Sequence, residues 1–237
     1  MLAICLVIGC KKDSQKPKTY LLTREITDTR ESGGGLDTTN FSYDDHNRII
    51  AINDGAGSNK TRYTTAFDSQ NRVTTAKKLD NSNNLIVEYD FFYHGDTVGY
   101  YYYGPTHGAD TATLVFDSNH RVIRLNTKHS GYETYDYDEM GNIILAQPYD
   151  NQGRNNLNDD VAYQYDNKKN PLSETPADNY YLMFVYYIYN PTALINNVND
   201  KNGYKYTYAY NADGFPTSAY INYFYSKTYI TYQYQVK

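Results

Sequence analysis

Residues 67–73 read Phe-Asp-Ser-Gln-Asn-Arg-Val. The same order of residue types stands at 43–49 (Tyr-Asp-Asp-His-Asn-Arg-Ile), 116–122 (Phe-Asp-Ser-Asn-His-Arg-Val) and 137–143 (Tyr-Asp-Glu-Met-Gly-Asn-Ile). An aromatic, an Asp, a few polar residues and a branched aliphatic describe a β-hairpin. The aromatic ends the incoming strand, the Asp opens the turn by accepting backbone N–H groups two residues on, and Asn or Gly takes the strained position. Weaker copies start at Phe92, Tyr165, Tyr189 and Tyr210, so that successive offsets are 24, 25, 24, 21, 28, 24 and 21 residues. Spacing this even marks a repeat protein.

Second turn clusters lie between the copies, at 54–60, 79–84, 104–110, 127–131 and 199–203, which makes each repeat two strands. With a first strand near Thr19–Ile26 and a last near Thr228–Val236, the expected fold is all-β: an antiparallel up-and-down meander of roughly 18 short strands. A long insertion at 149–160 interrupts the rhythm. Composition agrees with this reading. Leu, Ile, Val and Phe make up only about 19% of the chain, close to the level of disordered sequences, but 30 Tyr supply rings for a core and suit a pleated surface. In 204–210, four Tyr alternate with Lys205, Thr207 and Ala209. All four rings therefore share one face, the expected core face, and Lys205 points away.

The N-terminus, MLAICLVIGC, is an apolar run ending in Gly9-Cys10 and followed by the polar KKDSQKPK. It resembles a bacterial lipoprotein signal, although no basic residue precedes the run and the run is short, as in a truncated leader. On this reading residues 1–9 are a signal peptide, 10–18 a tether lipidated at Cys10, and 19–237 a single β-repeat domain. The resemblance implies a membrane partner reached through the lipid at Cys10. It also implies a place in the cell envelope, as an outer-membrane lipoprotein facing the periplasm or the surface. Cys5 would leave with the signal, so no disulfide forms.

The YDxxGN-type core at Tyr137–Ile143 resembles the YD repeats of the Rhs type, whose large members form hollow β-shells. Only Gly141 and Gly214 keep the glycine of that motif. Joined to a lipoprotein signal in a chain of 237 residues, the repeats are similar to a group of Bacteroidetes lipoproteins of unknown function with a porin-like fold. That resemblance implies a curled or closed porin-like barrel and no particular activity.

The net charge of −5 and the absence of a basic block exclude a nucleic-acid groove. A bilayer-spanning barrel needs strands of about 9–11 residues with an apolar outer band. Shorter strands and a mean hydropathy of −0.75 point instead to a wall facing water. The five His are scattered over turns without a zinc spacing, and no cofactor or metal is expected. The run 55–61 lacks the Gly before Lys of a phosphate loop, no Ser lies in a GxSxG elbow, and the acidic clusters at 80–84, 155–160 and 199–203 read as turns rather than calcium loops. The candidate ligand-binding residues are Tyr100, Tyr101, Tyr102, Tyr103, Tyr186 and Tyr187, because consecutive rings in a strand fall on both faces and exposed rings stack on sugars. The expected function is a non-enzymatic, lipid-anchored scaffold or binding module for a glycan or protein. The alternatives are a polysaccharide hydrolase drawing carboxylates from different repeats, and a pore or shell component.

Overall fold

The computed structural model describes residues 18–55, 60–105, 108–155, 157–176, 195–223 and 226–237. Cys10, Tyr186, Tyr187 and most of the repeat copy starting at Tyr189 lie outside them.

The repeat motif folds by one local mechanism. Asp44 Oδ1 accepts the N–H of His46 and of Arg48, both at 2.9 Å, while its Oδ2 meets Arg48 Nε at 2.6 Å. Asp68, Asp117 and Asp150 repeat this arrangement with Arg72, Arg121 and Arg154. Asp80 does so with Asn84. The residue three after each carboxylate is left-handed: Asn47, Asn71, Asn83, His120, Gly141 and Gly153 have φ between 58° and 90°. Asn and Gly tolerate that region best, which explains their place in the motif.

Sixteen strands are built this way: β1 (Tyr20–Asp28), β2 (Leu36–Tyr43), β3 (Ile49–Asp54), β4 (Thr61–Phe67), β5 (Val73–Leu79), β6 (Leu85–His94), β7 (Thr97–Gly104), β8 (Gly108–Phe116), β9 (Val122–Thr127), β10 (Gly131–Tyr137), β11 (Ile143–Tyr149), β12 (Val161–Lys169), β13 (Asn196–Lys201), β14 (Tyr204–Tyr210), β15 (Pro216–Tyr223) and β16 (Ser226–Val236). Each pairs antiparallel with its neighbours in sequence. β1 pairs with β16 from Tyr20↔Val236 to Asp28↔Tyr229 and closes the barrel. The all-β meander is therefore as expected, with sixteen strands among the described residues instead of eighteen. The difference falls around the copies starting at Tyr165 and Tyr189, where 177–194 lie outside the described residues. β12 pairs directly with β13, and the copy at 165–171 runs into a turn at Asn170–Thr175 rather than a tight hairpin.

Closure has a repeated cause. In six hairpins, five at one end of the barrel and β5–β6 at the other, the ladder slips by one residue just after the turn, as where Ala66↔Thr75 is followed by Phe67↔Val73. The slip sets the aromatic and the aliphatic of each motif on the same face, and such bulges bend and twist a sheet. Adjacent strands are then stitched at this rim. Tyr43, Tyr93, Tyr137, Tyr165, Tyr208 and Tyr234 each donate a hydroxyl to a carbonyl near the start of the preceding strand, at 2.5–2.9 Å. Arg48, Arg72 and Arg121 lie over the next motif's ring, Phe67, Tyr93 and Tyr137, at 4.2–4.6 Å.

The inner face carries the core. Ile49, Ile52, Leu114, Ile143 and Leu22 are fully buried, with Tyr63, Tyr135 and Tyr163 nearly so. The ring face of 204–210 does point inward, but its four Tyr are half-buried rather than fully buried, while Lys205, Thr207 and Ala209 are exposed. Sixteen strands explain the difference, since a barrel of that size has more interior than one shell of side chains fills. Outward the wall carries charges among exposed aliphatics such as Ile50, Ile123 and Ile144: Arg24 and Asp90 project from mid-strand, and Asp136 and Lys205 from near strand ends.

Candidate functional site

Period two divides the run Tyr100–Tyr103 between the faces of β7. Tyr100 is buried inward, packed among Tyr89, Phe91 and Tyr102 at centroid distances of 5.6–6.1 Å. Tyr102 also points inward. Tyr101 and Tyr103 stand on the outer wall, 5.6 Å apart. Two of the four expected ligand-binding rings are thus part of the core, and two are available outside.

The outer pair is joined by a residue the sequence reading placed elsewhere. The repeat spacing makes Phe92 the ring of the third copy, yet Tyr93 holds that inner position and Phe92 faces out. A two-residue turn at Gly95-Asp96, with His94 opposite Thr97, shortens this hairpin and shifts the register by one. Phe92 pairs with Gly99, and a Cβ at Gly99 would lie 2.0 Å from the Phe92 ring, so the ring occupies the space a side chain at 99 would fill. It remains open, at 52% exposure, and Tyr101 beside it is 39% exposed.

Carboxylates alternate with these rings. Asp90 stands opposite Tyr101 and Glu88 opposite Tyr103, while Lys77 pairs with Glu88 at 2.9 Å and Thr75 bonds Asp90 at 3.4 Å. The hydrogen bond from Tyr103 to Glu88 raises the phenol above its usual range. The row is a strip of rings, with Tyr101 and Tyr103 tilted 36° to one another, bordered by acceptors. Elsewhere on the outer wall, Tyr132 stacks on Tyr149 at 4.7 Å and takes Arg124 on its face at 3.6 Å, while Tyr229, also 39% exposed, packs against Tyr220 at 5.0 Å.

The inner wall holds a second set of polar groups, toward the end opposite the Asp turns of β2–β3 and β4–β5. Glu133 points inward and its Oε2 accepts the Tyr135 hydroxyl at 2.8 Å. Burial raises Glu133, more than that bond lowers it. Lys78 lies over Tyr63 at 5.1 Å and Lys201 over Tyr163 at 5.7 Å. Burial lowers Lys201. Among the described residues, no group of three or more His, Cys, Asp or Glu is placed to hold a metal. His46 and His120 are exposed turn residues.

With this geometry in hand, the fold matches a porin-like protein from Bacteroides uniformis, with a TM-score of 0.58 at 13% identity over 92% of this chain and 99% of that one. The fold is porin-like. A porin-like protein from Bacteroides vulgatus has a TM-score of 0.40 at 13% identity, covering 91% of this chain and 99% of that one. No protein-family model matches the sequence, and neither does any curated protein.

Proposed function

We propose that the protein is a non-enzymatic binding module of the bacterial envelope, held by a lipid on Cys10, whose ring strip on β6–β7 stacks against a neutral glycan. The observation that carries this reading is the Phe92 ring, seated over Gly99 and 52% exposed, beside Tyr101 and Tyr103 on the outer wall. A planar ring offers its face to the C–H side of a pyranose, and Glu88 and Asp90 accept from hydroxyls at the edge of the same sugar. Their negative charge also disfavours acidic polysaccharides at this strip.

The same wall argues against a bilayer-spanning pore. A Lys or Arg on the lipid face of a transmembrane barrel costs about 2–4 kcal/mol at the midplane, and this wall carries Arg24 and Asp90 at mid-strand. The test is a glycan array probed with the whole protein, followed by titration calorimetry on a bound neutral oligosaccharide. Phe92→Ala and Tyr101→Ala should each weaken binding about tenfold, equivalent to 1.4 kcal/mol, with Tm held. Affinity that survives both substitutions rejects the strip as the site.

A further inference from the structure

The inner wall carries charges of both signs, and only one sign is satisfied. Asp54 accepts the Thr39 hydroxyl at 2.6 Å, Asp110 accepts Tyr102 at 3.3 Å and has His129 at 3.7 Å, and Glu133 accepts Tyr135 at 2.8 Å. Glu25, opposite Tyr232, has Thr27 Oγ1 at 3.5 Å. The two inward lysines differ. Lys78 stands between Tyr63 and Val87, and Lys201 between Tyr163 and Tyr204, each on the face of buried rings. Among the described residues neither ammonium has a carboxylate within 4.0 Å, although the outward Lys77, Lys205 and Lys227 each have one.

Their placement is paired as well. Each lysine faces a tyrosine directly across an antiparallel ladder, β4–β5 in one case and β12–β13 in the other. β5 and β13 are eight strands apart in a closed ring of sixteen, so the two ammoniums stand on opposite walls. Both lie at the same end: Lys78 is next to last in β5 and Lys201 is last in β13. Both are half-buried, and so still open to the interior space. A tyrosine face attracts an ammonium but accepts none of its three N–H donors in the way a carboxylate does.

We propose that this end of the barrel interior is a second binding site, distinct from the β6–β7 strip, which takes an acidic oligosaccharide whose anionic groups pair with Lys78 and Lys201. The half-buried ring of Tyr204, opposite Lys201 at the start of the adjoining β14, borders the site on the β14 side. The wall's acids already have donors and, among the described residues, neither lysine has a carboxylate partner, so the ligand that completes the site brings anionic acceptors.

The experiment is titration calorimetry of the whole protein with three probes: a tetragalacturonate, a neutral galacto-oligosaccharide of equal length, and inorganic phosphate. The uronate should bind with an affinity that falls steeply as salt is raised, and the neutral sugar should ignore both lysine substitutions. Lys78→Met and Lys201→Met should each weaken uronate binding fivefold or more, the double variant should abolish it, and Lys78→Arg should retain it. Phosphate competing at millimolar concentration would assign the recognition to the anionic group alone and overturn the requirement for a sugar. Each Met variant should melt at or above the wild-type temperature, because an apolar side chain replaces a half-buried ammonium. This readout separates a ligand role from a structural one. A fall in Tm with both Met variants, or uronate affinity unchanged in the double variant, would overturn the proposal. Binding at the outer strip is read separately with Phe92→Ala, which should leave the uronate titration untouched.

Discussion

Replacing Asp44 by Ala removes the centre of one repeat. Two backbone N–H groups, of His46 and Arg48, lose their acceptor, and each such bond contributes about 0.5–1 kcal/mol net in a turn open to water. The ion pair with Arg48 goes too. Its side chains are 16% and 19% exposed, which makes it the most covered of the four Asp–Arg turn pairs and supports about 0.5–1 kcal/mol. Arg48 is then free to leave the Phe67 ring at 4.2 Å and Asn71 Oδ1 at 2.8 Å, which loosens the contact to the next hairpin. The expected loss is about 2 kcal/mol, or about 4–8 °C in Tm for a domain of this size. Asp44→Asn keeps an acceptor for the two N–H groups and should lose less than half as much. Urea denaturation followed by circular dichroism, with the slope compared across variants, measures both. A loss under 0.5 kcal/mol for Asp44→Ala would refute the turn mechanism, and equal losses for Ala and Asn would assign the stability to the ion pair instead.

Tyr165→Phe removes a hydroxyl bonded to Ile143 O at 2.7 Å and should cost about 1 kcal/mol, whereas Tyr101→Phe on the outer wall should cost almost nothing in the same denaturation. Acid should destabilise the barrel. Arg30's hydrogen bonds hold Asp28 at about 2, and in Asp44 bonds from Arg48 and His46 outweigh burial, which pushes the other way. A carboxyl depressed by folding stabilises fully above its unfolded value near 4 and loses that contribution as pH falls through the folded value. Melts between pH 5 and pH 2 should therefore show a progressive fall in Tm, and a flat profile contradicts the assignment. Glu133 has the opposite sign: burial raises it, so its contribution is lost as pH rises past its unfolded value. Glu133→Gln, which keeps an acceptor for Tyr135, should match or exceed wild-type stability at pH 7 and lie closer to wild type at pH 4.

The hairpin turns were legible because their chemistry is local. An Asp with N–H groups two and four residues on needs no distant partner, and a left-handed φ selects Asn or Gly wherever the chain turns. The barrel's closure was legible only as a likeness, since the β1–β16 ladder joins residues more than 200 positions apart. The inward lysine of β5 was hidden by the bulge. Counting by twos from the inward Val73 puts Lys77 inside, but the slip after Val73 puts Ala76 and Lys78 there and sends Lys77 out to Glu88. Phe92 was misplaced for a related reason, a turn two residues long where the repeat predicts a longer one. Alternation in Tyr204–Tyr210 survived because no bulge falls inside it, although the number of strands, which sets how tightly those rings pack, is a property of the whole sheet.

Cross-linking the β1–β16 seam tests the closed barrel most directly. Ile26 and Thr231 are opposite one another across that seam. With Cys5 and Cys10 replaced by Ser, Ile26→Cys with Thr231→Cys should form an intramolecular disulfide in high yield under mild oxidation, while Ile26→Cys with Lys205→Cys, two strands further round the wall, should not. A folded β-protein in which the 26–231 pair stays reduced, or joins only between molecules, would mean that the sheet is open.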